Sequence, residues 1–256
     1  MQIYAMAFNF NCRFDFSKAL INYNGYEFVL HNGGIEKVDV IETILYNDDE
    51  RELFSQTAID FCLSLVSRNI LYSFMYLEAF AKGIRKEVNL LGKEPSIRIP
   101  RSEINSISIN FIKKLNSSEQ KIISSLLNDA NYSNNPFYKF LCYWKILEVP
   151  ISSKTRSAEK WINDLIDNNP TIINGNQELE RMYKSGTNIG NYFREQCRNS
   201  IAHITKPPSL ISSNFNHFMQ VSRACSDIFN FVNYFIMHEV FWERYQQKVN
   251  ILSIVK

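Results

Sequence analysis

The sequence has little glycine and proline, and neither sign of charge is in clear excess. Eight glycines and seven prolines stand in 256 residues, about half the usual share for these two residues. Because Gly and Pro interrupt helices and supply tight turns, their scarcity favours long helices over a β-sandwich with many turns. The 28 basic and 26 acidic residues leave a formal charge of +2. That balance excludes a polybasic nucleic-acid coat protein and an acidic solvating tail.

The sequence also lacks a secretory signal, a membrane span and a paired-cysteine motif. Residues 1–10 contain neither a basic n-region nor an apolar h-region. The most apolar late stretch, residues 228–237, is interrupted by two asparagines and is too short to span a bilayer. The five cysteines are widely spaced and form no CxxC pair, which predicts reduced thiols. Together these absences predict a cytoplasmic protein without a membrane partner.

The first third of the sequence contains short β-prone runs, at residues 19–23, 26–30 and 38–44. They are separated by Asn24-Gly25 and by Asn32-Gly33-Gly34. Asn-Gly readily adopts the positive φ angles of tight hairpins, so the runs predict a small antiparallel meander.

A helix is predicted to follow the meander. Asp48-Asp49-Glu50 suits a helix start because acidic side chains stabilise the positive end of the helix dipole, and the apolar spacing continues to about Arg68. Residues 71–81 fit either a strand or a helix. Pro95 and Pro100 flank an extended segment that marks a boundary between domains.

From Ser102 onward the apolar spacing predicts helices throughout. Pro136 suits the first position of a helix over residues 137–147. A long last helix is predicted from near Ser213, with a buried seam at steps of three and four: Phe218, Val221, Cys225, Ile228, Val232 and Phe235. The predicted fold class is therefore α+β, mainly α, with a small N-terminal α/β module over residues 1–100 and an all-helical bundle over residues 101–256.

The segment 198–203, Arg-Asn-Ser-Ile-Ala-His, carries the clearest chemical signal. At about 100° per residue of an α-helix, Arg198, Asn199 and His203 share one arc with Glu195. A histidine titrates near neutral pH and can act as a general acid or base. An arginine offers a planar fork for a phosphate, and Asn199 could orient the imidazole or the substrate. Because RNA supplies its own nucleophile, the 2′-hydroxyl, a base and a phosphate clamp are nearly sufficient to cleave it without a metal or other cofactor.

This segment, Arg198-Asn199-x-x-x-His203 on a late helix followed by a long aromatic helix, resembles the R-(polar)-x-x-x-H signature of the HEPN superfamily. Residues 135–148 resemble the corresponding helix of the methylamine-utilisation J-type subgroup. The resemblance covers roughly residues 102–245. It implies that Arg198 and His203 are catalytic and that Asn199 is their polar companion. It also implies, more weakly, that Glu148 faces the motif from an earlier helix.

The resemblance further implies a function and partners. Many HEPN proteins are metal-independent endoribonucleases of toxin, anti-phage or CRISPR systems, and they form homodimers in which two motif copies line one cleft. The expected products carry 2′,3′-cyclic phosphate ends. The first hundred residues are expected to sense a trigger or to bind a regulatory partner such as an antitoxin, because an unrestrained ribonuclease would poison its host.

Other hypotheses remain open. The near-neutral charge favours a non-catalytic HEPN-fold module for dimerisation or ligand binding. A third hypothesis makes Tyr192 the acceptor of a nucleotide transferred by a partner. For the single residues, His203 also suits a helix C-terminus, where it would stabilise the dipole, and Arg198 suits an ion pair with Glu195.

Two further patterns bear on metal binding and on RNA binding. His238-Glu239 begins like a HExxH zinc motif, but Trp242 stands where the second ligand should be, so no metal site is expected. Seven basic residues would form either an RNA-binding rim or scattered solvated side chains: Lys154, Arg156, Lys160, Arg181, Lys184, Arg194 and Lys206.

Overall fold

The structure is a computed structural model, and its chain divides into two compact units. The first comprises Met1–Asn116 and Tyr245–Lys256, and the second comprises Ser117–Arg244. The structure describes residues 2–10, 13–33, 39–47, 49–68, 74–83, 106–107, 114–150, 157–202, 214–240 and 250–255. The predicted domain boundary at residue 100 lies outside these ranges.

The first unit is built on a six-stranded sheet in which the strands of every described pair are antiparallel. Its strands are β1 (Gln2–Phe10), β3 (Lys18–Tyr23), β4 (Tyr26–His31), β5 (Asp39–Leu45), β6 (Phe74–Gly83) and β8 (Asn250–Val255). They lie in the order β6-β1-β5-β4-β3-β8. A separate parallel pair joins β2 (Arg13–Phe14) to β7 (Ser106–Ile107).

The predicted meander is confirmed in strands β3, β4 and β5, which are neighbours in the sheet. Asn24 and Gly25 form the turn between β3 and β4 with φ angles of 53° and 85°. Two consecutive positive φ angles are the requirement of the type I′ turn, whose twist matches that of the flanking strands. The local sequence therefore accounts for this hairpin.

Helix α1 (Glu50–Arg68) begins at the predicted acidic cluster and packs on the sheet through aromatic side chains. Phe54 lies edge-on to Tyr4 of β1, with ring centroids 5.7 Å apart. Phe61 lies edge-on to Tyr23 of β3 at 5.7 Å and to Phe28 of β4 at 5.2 Å. Because successive side chains of a strand alternate between faces, these rings come from one face of the sheet, and the core of the first unit lies between that face and α1.

The structure corrects part of the secondary-structure prediction. The prediction of helices throughout from Ser102 onward is wrong for β7 and for β8, which are strands. β8 pairs with β3, so its conformation depends on a partner more than 200 residues earlier, which apolar spacing in the local sequence does not reveal. Strand β6 resolves the ambiguous residues 71–81 in favour of a strand from Phe74. Strand β1 was not predicted.

All the regular elements described in the second unit are helical, and together with the sheet of the first unit they confirm a fold that is α+β and mainly α. Its helices are α2 (Ser118–Tyr132), α3 (Pro136–Glu148), α4 (Ala158–Asn168), α5 (Gln177–Lys184), α6 (Ile189–Asn191), α7 (Ser200–Ala202) and α8 (Phe215–Phe235). A 3₁₀ turn (Pro170–Ile173) and two π-helical segments (Tyr192–Asn199 and Ile236–Val240) complete it. Side chains of Ser or Asn cap the N-termini of α2, α3, α4, α5, α6 and α8, as helix starts prefer.

The predicted seam of α8 is confirmed from Val221 to Phe235, whose seam residues are buried. Phe218 is the exception, since its side chain is exposed. The seam packs against α3 and the π-helical segment Tyr192–Asn199. No helix among the described residues combines the length and the apolar character needed to cross a membrane.

Candidate functional site at the polar motif

The motif lies on a helix of mixed geometry, called here the motif helix, which covers residues 189–202. It begins as α6, continues as the π-helical segment Tyr192–Asn199, and ends as α7. The assumption of regular α-helical angles is therefore wrong for Arg198 and Asn199. A π turn closes hydrogen bonds five residues apart and is wider than an α turn, and such turns are rare and frequent at functional sites.

One face of the motif helix is anchored in the core. Phe193 and Cys197 have no exposed surface, and Phe193 contacts Phe140 of α3 and Phe231 of α8 with centroids 6.2 and 6.0 Å apart. Burial raises the pKa of the Cys197 thiol to about 12, so this cysteine is a core residue and a poor nucleophile.

The opposite face carries a chain of polar contacts that begins at Arg198. Its guanidinium nitrogen Nη1 donates to Oδ1 of Asn199 at 2.9 Å. Nδ2 of Asn199 donates in turn to Oε2 of Glu195 at 3.0 Å. This contact is the first cause of a Glu195 pKa below its usual value. Since the amide of Asn199 must accept from a cation and donate to a carboxylate, its orientation is fixed by both neighbours.

A second arginine compensates the charge of Glu195. Nε of Arg194 donates to Oε1 of Glu195 at 2.8 Å, and Nη1 of Arg194 lies 2.6 Å from Oε2 of Glu159 on α4. Arg194 is thus shared between two carboxylates. Arg198, at the other end of this series of polar contacts, contacts the neutral amide of Asn199 and has no direct carboxylate partner among the described residues.

The π-helical geometry is supported by a side-chain hydrogen bond of matching span. The hydroxyl of Ser200 donates to the backbone carbonyl of Glu195, five residues earlier, at 2.9 Å. Ser200 is itself buried. The bond satisfies a carbonyl of the wider turn, and it ties the backbone of Glu195 to the start of α7.

The start of the motif helix is held against α4 by a close backbone approach at Gly190. Its amide N–H donates to Oδ1 of Asn163 at 3.0 Å, and Nδ2 of Asn163 donates to Oδ1 of Asn188, the N-cap of α6, at 2.9 Å. A Cβ atom at position 190 would overlap the backbone carbonyl of Glu159 and lie 2.9 Å from the Asn163 amide nitrogen. Glu159 of α4 also binds Arg194. The crossing of α4 and the motif helix therefore also positions the series of polar contacts that runs from Arg194 to Arg198.

We expect Gly190→Ala to destabilise the second unit by about 1–3 kcal/mol, the usual cost of inserting a methyl group into a packed contact. Alanine favours a helix interior over glycine by about 1 kcal/mol, so helix propensity alone predicts the opposite sign. Urea unfolding followed by tryptophan fluorescence measures the difference. Gln196→Ala is the matched control on the same helix, because Gln196 is exposed. A Gly190→Ala protein as stable as wild type would contradict the close approach.

The structure places the other predicted site residues as follows. His203 lies outside the described residues, so a shared cleft for Arg198 and His203 stays a prediction. Oε1 of Glu148 accepts the indole N–H of Trp144 at 2.7 Å, and Glu148 makes no hydrogen bond or ion pair with Arg198, Asn199 or Glu195. Tyr192 is partly buried, and burial raises the pKa of its phenol.

The basic residues considered for a rim are mostly paired with acids where the structure describes them. Arg181 binds Glu178 at 2.6 Å, and Lys184 lies 3.8 Å from Glu180. Lys160 is exposed, and Lys154, Arg156 and Lys206 lie outside the described residues. The described residues therefore favour scattered, locally compensated charges over a positive rim.

Sequence reasoning missed two contributors to the site, Glu159 and Ser200. Glu159 stands 35 residues before Arg194, and no local spacing connects them. The role of Ser200 depends on its hydrogen bond to the carbonyl of Glu195, five residues earlier, and this spacing is expected only in a π-helix. Arg194 was considered as a member of the rim, whereas its contacts place it between two carboxylates.

Residues 123–248 match the family model described as methylamine utilization protein MauJ. This range covers just under half of the chain and almost all of the second unit, including the motif helix. It agrees with the likeness of residues 135–148 to the J-type subgroup. No curated protein and no solved structure matches the chain.

Proposed function

We propose that the chain is a metal-independent RNA endonuclease of the HEPN type, active as a homodimer, in a toxin, anti-phage or CRISPR-linked system. The proposal combines the similarity of residues 123–248 to the MauJ family with the resemblance of the motif to the HEPN signature. The observation that carries the proposal is that the Arg198 side chain is partly exposed and hydrogen-bonded to a neutral amide, that of Asn199.

Arg198 has the properties of a phosphate-binding group. A guanidinium has five N–H donors and stays protonated at all physiological pH values. A single hydrogen bond to Asn199 occupies one of them, so the remaining donors can form a bidentate contact with a phosphate. If Arg198 were paired directly with Glu195, a phosphate would have to displace a carboxylate. Arg194 removes that competition by binding Glu195 itself.

His203 is proposed as the proton-transfer group. The base removes the proton of the 2′-hydroxyl, whose oxygen then attacks the adjacent phosphorus. The bond from phosphorus to the 5′-oxygen breaks, the leaving oxygen takes up a proton, and the products are a 2′,3′-cyclic phosphate and a 5′-hydroxyl. Arg198 stabilises the charge that develops on the phosphoryl oxygens, and Asn199 positions Arg198. The first unit is proposed to bind a regulatory partner or trigger.

A non-catalytic module for dimerisation or ligand binding is the second candidate. The locally paired charges of Arg181, Lys184 and Arg194 favour it, because nucleic-acid affinity depends strongly on unpaired cations near the phosphates. This candidate predicts a dimer that cleaves no RNA.

Cleavage of a labelled single-stranded RNA of mixed sequence in excess EDTA tests the proposal. Wild type is expected to cut, and Arg198→Ala and His203→Ala are each expected to cut at least about 100-fold more slowly, as for loss of a general base or a charge-stabilising group. Arg223→Ala is the matched control, because Arg223 is exposed on α8. Equal cleavage by both site variants and wild type would reject the assignment. A dimer without cleavage on any RNA would favour the second candidate.

A further inference from the structure

An open groove of about 400 Å³ lies in the second unit, between the 3₁₀ turn that follows α4 and the C-terminal end of α8. None of its lining residues belongs to the motif helix, and none is Asp, Glu, Lys or Arg. Four asparagines contribute to it: Asn169, Asn174, Asn230 and Asn233. A groove without a carboxylate, ammonium or guanidinium group does not suit a phosphate or a metal ion, so its ligand is expected to be neutral and polar.

Three of these asparagines are available to a ligand. The side-chain amides of Asn174, Asn230 and Asn233 are exposed and have no hydrogen-bond partner within the described ranges. Oδ1 of Asn169, in contrast, accepts from the hydroxyl of Thr171 at 2.5 Å. Each free amide offers a carbonyl acceptor and an NH₂ donor side by side. The groove therefore presents both donors and acceptors.

A stacked pair of rings stands beside the amides. The rings of Tyr234 and His238 lie parallel within 27°, with centroids 4.2 Å apart. Tyr234 is partly buried and supports the stack, whereas His238 is exposed. Tyr234 covers one face of the imidazole, and the exposed His238 ring lines the groove.

We infer that this groove binds a nucleobase, with adenine preferred. An asparagine amide can pair with adenine, because its oxygen accepts from the N6 amino group while its NH₂ group donates to N7. Unpaired bases stack on aromatic side chains, histidine included. The volume is within the range of small-ligand sites and is open enough for a base that remains attached to a chain. The role of the groove in reading a base of the substrate rests on the proposed nuclease function; the binding itself does not.

Binding to the Arg198→Ala chain tests the inference without cleavage. Adenosine and a hexamer of riboadenylate are the probes, and titration is followed by NMR or calorimetry. The double variant Asn230→Ala/Asn233→Ala and the single variant His238→Ala, each made in that chain, are expected to weaken binding of both probes about tenfold or more, which is typical for loss of an amide pair to a base and of one stacking ring, respectively. Asn216→Ala is the matched control, since Asn216 is an exposed asparagine at the other end of α8.

The outcomes separate cleanly. Tighter binding of the hexamer than of adenosine identifies an RNA chain as the natural source of the base, and equal binding identifies a free nucleoside; both support the groove. No adenosine binding, an equal loss in Asn216→Ala, or binding of glucose in place of adenosine would overturn it. A wild-type chain that binds adenine through these residues yet cuts no RNA rejects the nuclease and leaves the groove standing.

Discussion

Arg198→Lys is expected to slow RNA cleavage by about 100-fold, although it keeps the positive charge. Lysine carries a compact ammonium on a flexible stem, and it cannot offer two parallel N–H groups to a phosphate while a third is held by Asn199. The effect should fall mainly on kcat, because the fork matters most when charge develops in the transition state. Steady-state cleavage of a 5′-labelled oligoribonucleotide at several RNA concentrations separates kcat from KM.

Variants of Asn199 test whether this residue positions the Arg198 guanidinium. Asn199→Ala removes the link between Arg198 and Glu195 and is expected to slow cleavage about tenfold, less than loss of the fork itself. Asn199→Asp adds a carboxylate that pairs with Arg198 and repels Glu195, so it is expected to be at least as harmful. Both variants should have the same urea midpoint of unfolding as wild type, because these side chains are partly exposed.

If Arg198→Lys cleaves as fast as wild type, Arg198 acts only as a point charge and the planar fork of the guanidinium is not needed.

Local chemistry explains which parts of the fold could be predicted. The hairpin at Asn24-Gly25, the start of α1 at Glu50 and the entry of α3 at Pro136 each depend on residues within one turn of the feature. The position of β8 depends on pairing with β3 across most of the chain. Its sequence, Asn-Ile-Leu-Ser-Ile-Val, is compatible with a strand or a helix until a partner is known.

The candidate site likewise combines features that the local sequence predicts with features that depend on tertiary contacts. The spacing of Arg198 and Asn199 is visible in the sequence, and so is the apolar face that fixes the motif helix. The π-helical turn is not, because it arises where the packing of Phe193 and the bond from Ser200 to the Glu195 carbonyl act together. Glu159 enters through the close crossing at Gly190. Tertiary contacts therefore decide which carboxylate is neutralised and which arginine keeps its donors.

Phe193→Ala is expected to destabilise the second unit by about 3–5 kcal/mol, the usual cost of emptying a fully buried phenylalanine site. Phe193 joins the motif helix to α3 and α8 at once, through Phe140 and Phe231. These neighbours come from two different helices that cannot both move into the space, so a cavity should remain. Since a domain has only about 5–15 kcal/mol of net stability, this one change removes a large part of it.

Urea unfolding measured by tryptophan fluorescence reports on this unit, because all three tryptophans, at positions 144, 161 and 242, belong to it. Phe215→Ala is the control, since Phe215 is 74 % exposed at the start of α8, and a surface change of this kind usually stays within about 0.5 kcal/mol. Phe193→Leu should fall between the two. A loss below about 1 kcal/mol for Phe193→Ala would mean that the motif helix does not depend on this aromatic contact, and the packing that holds Arg198 toward solvent would need another source.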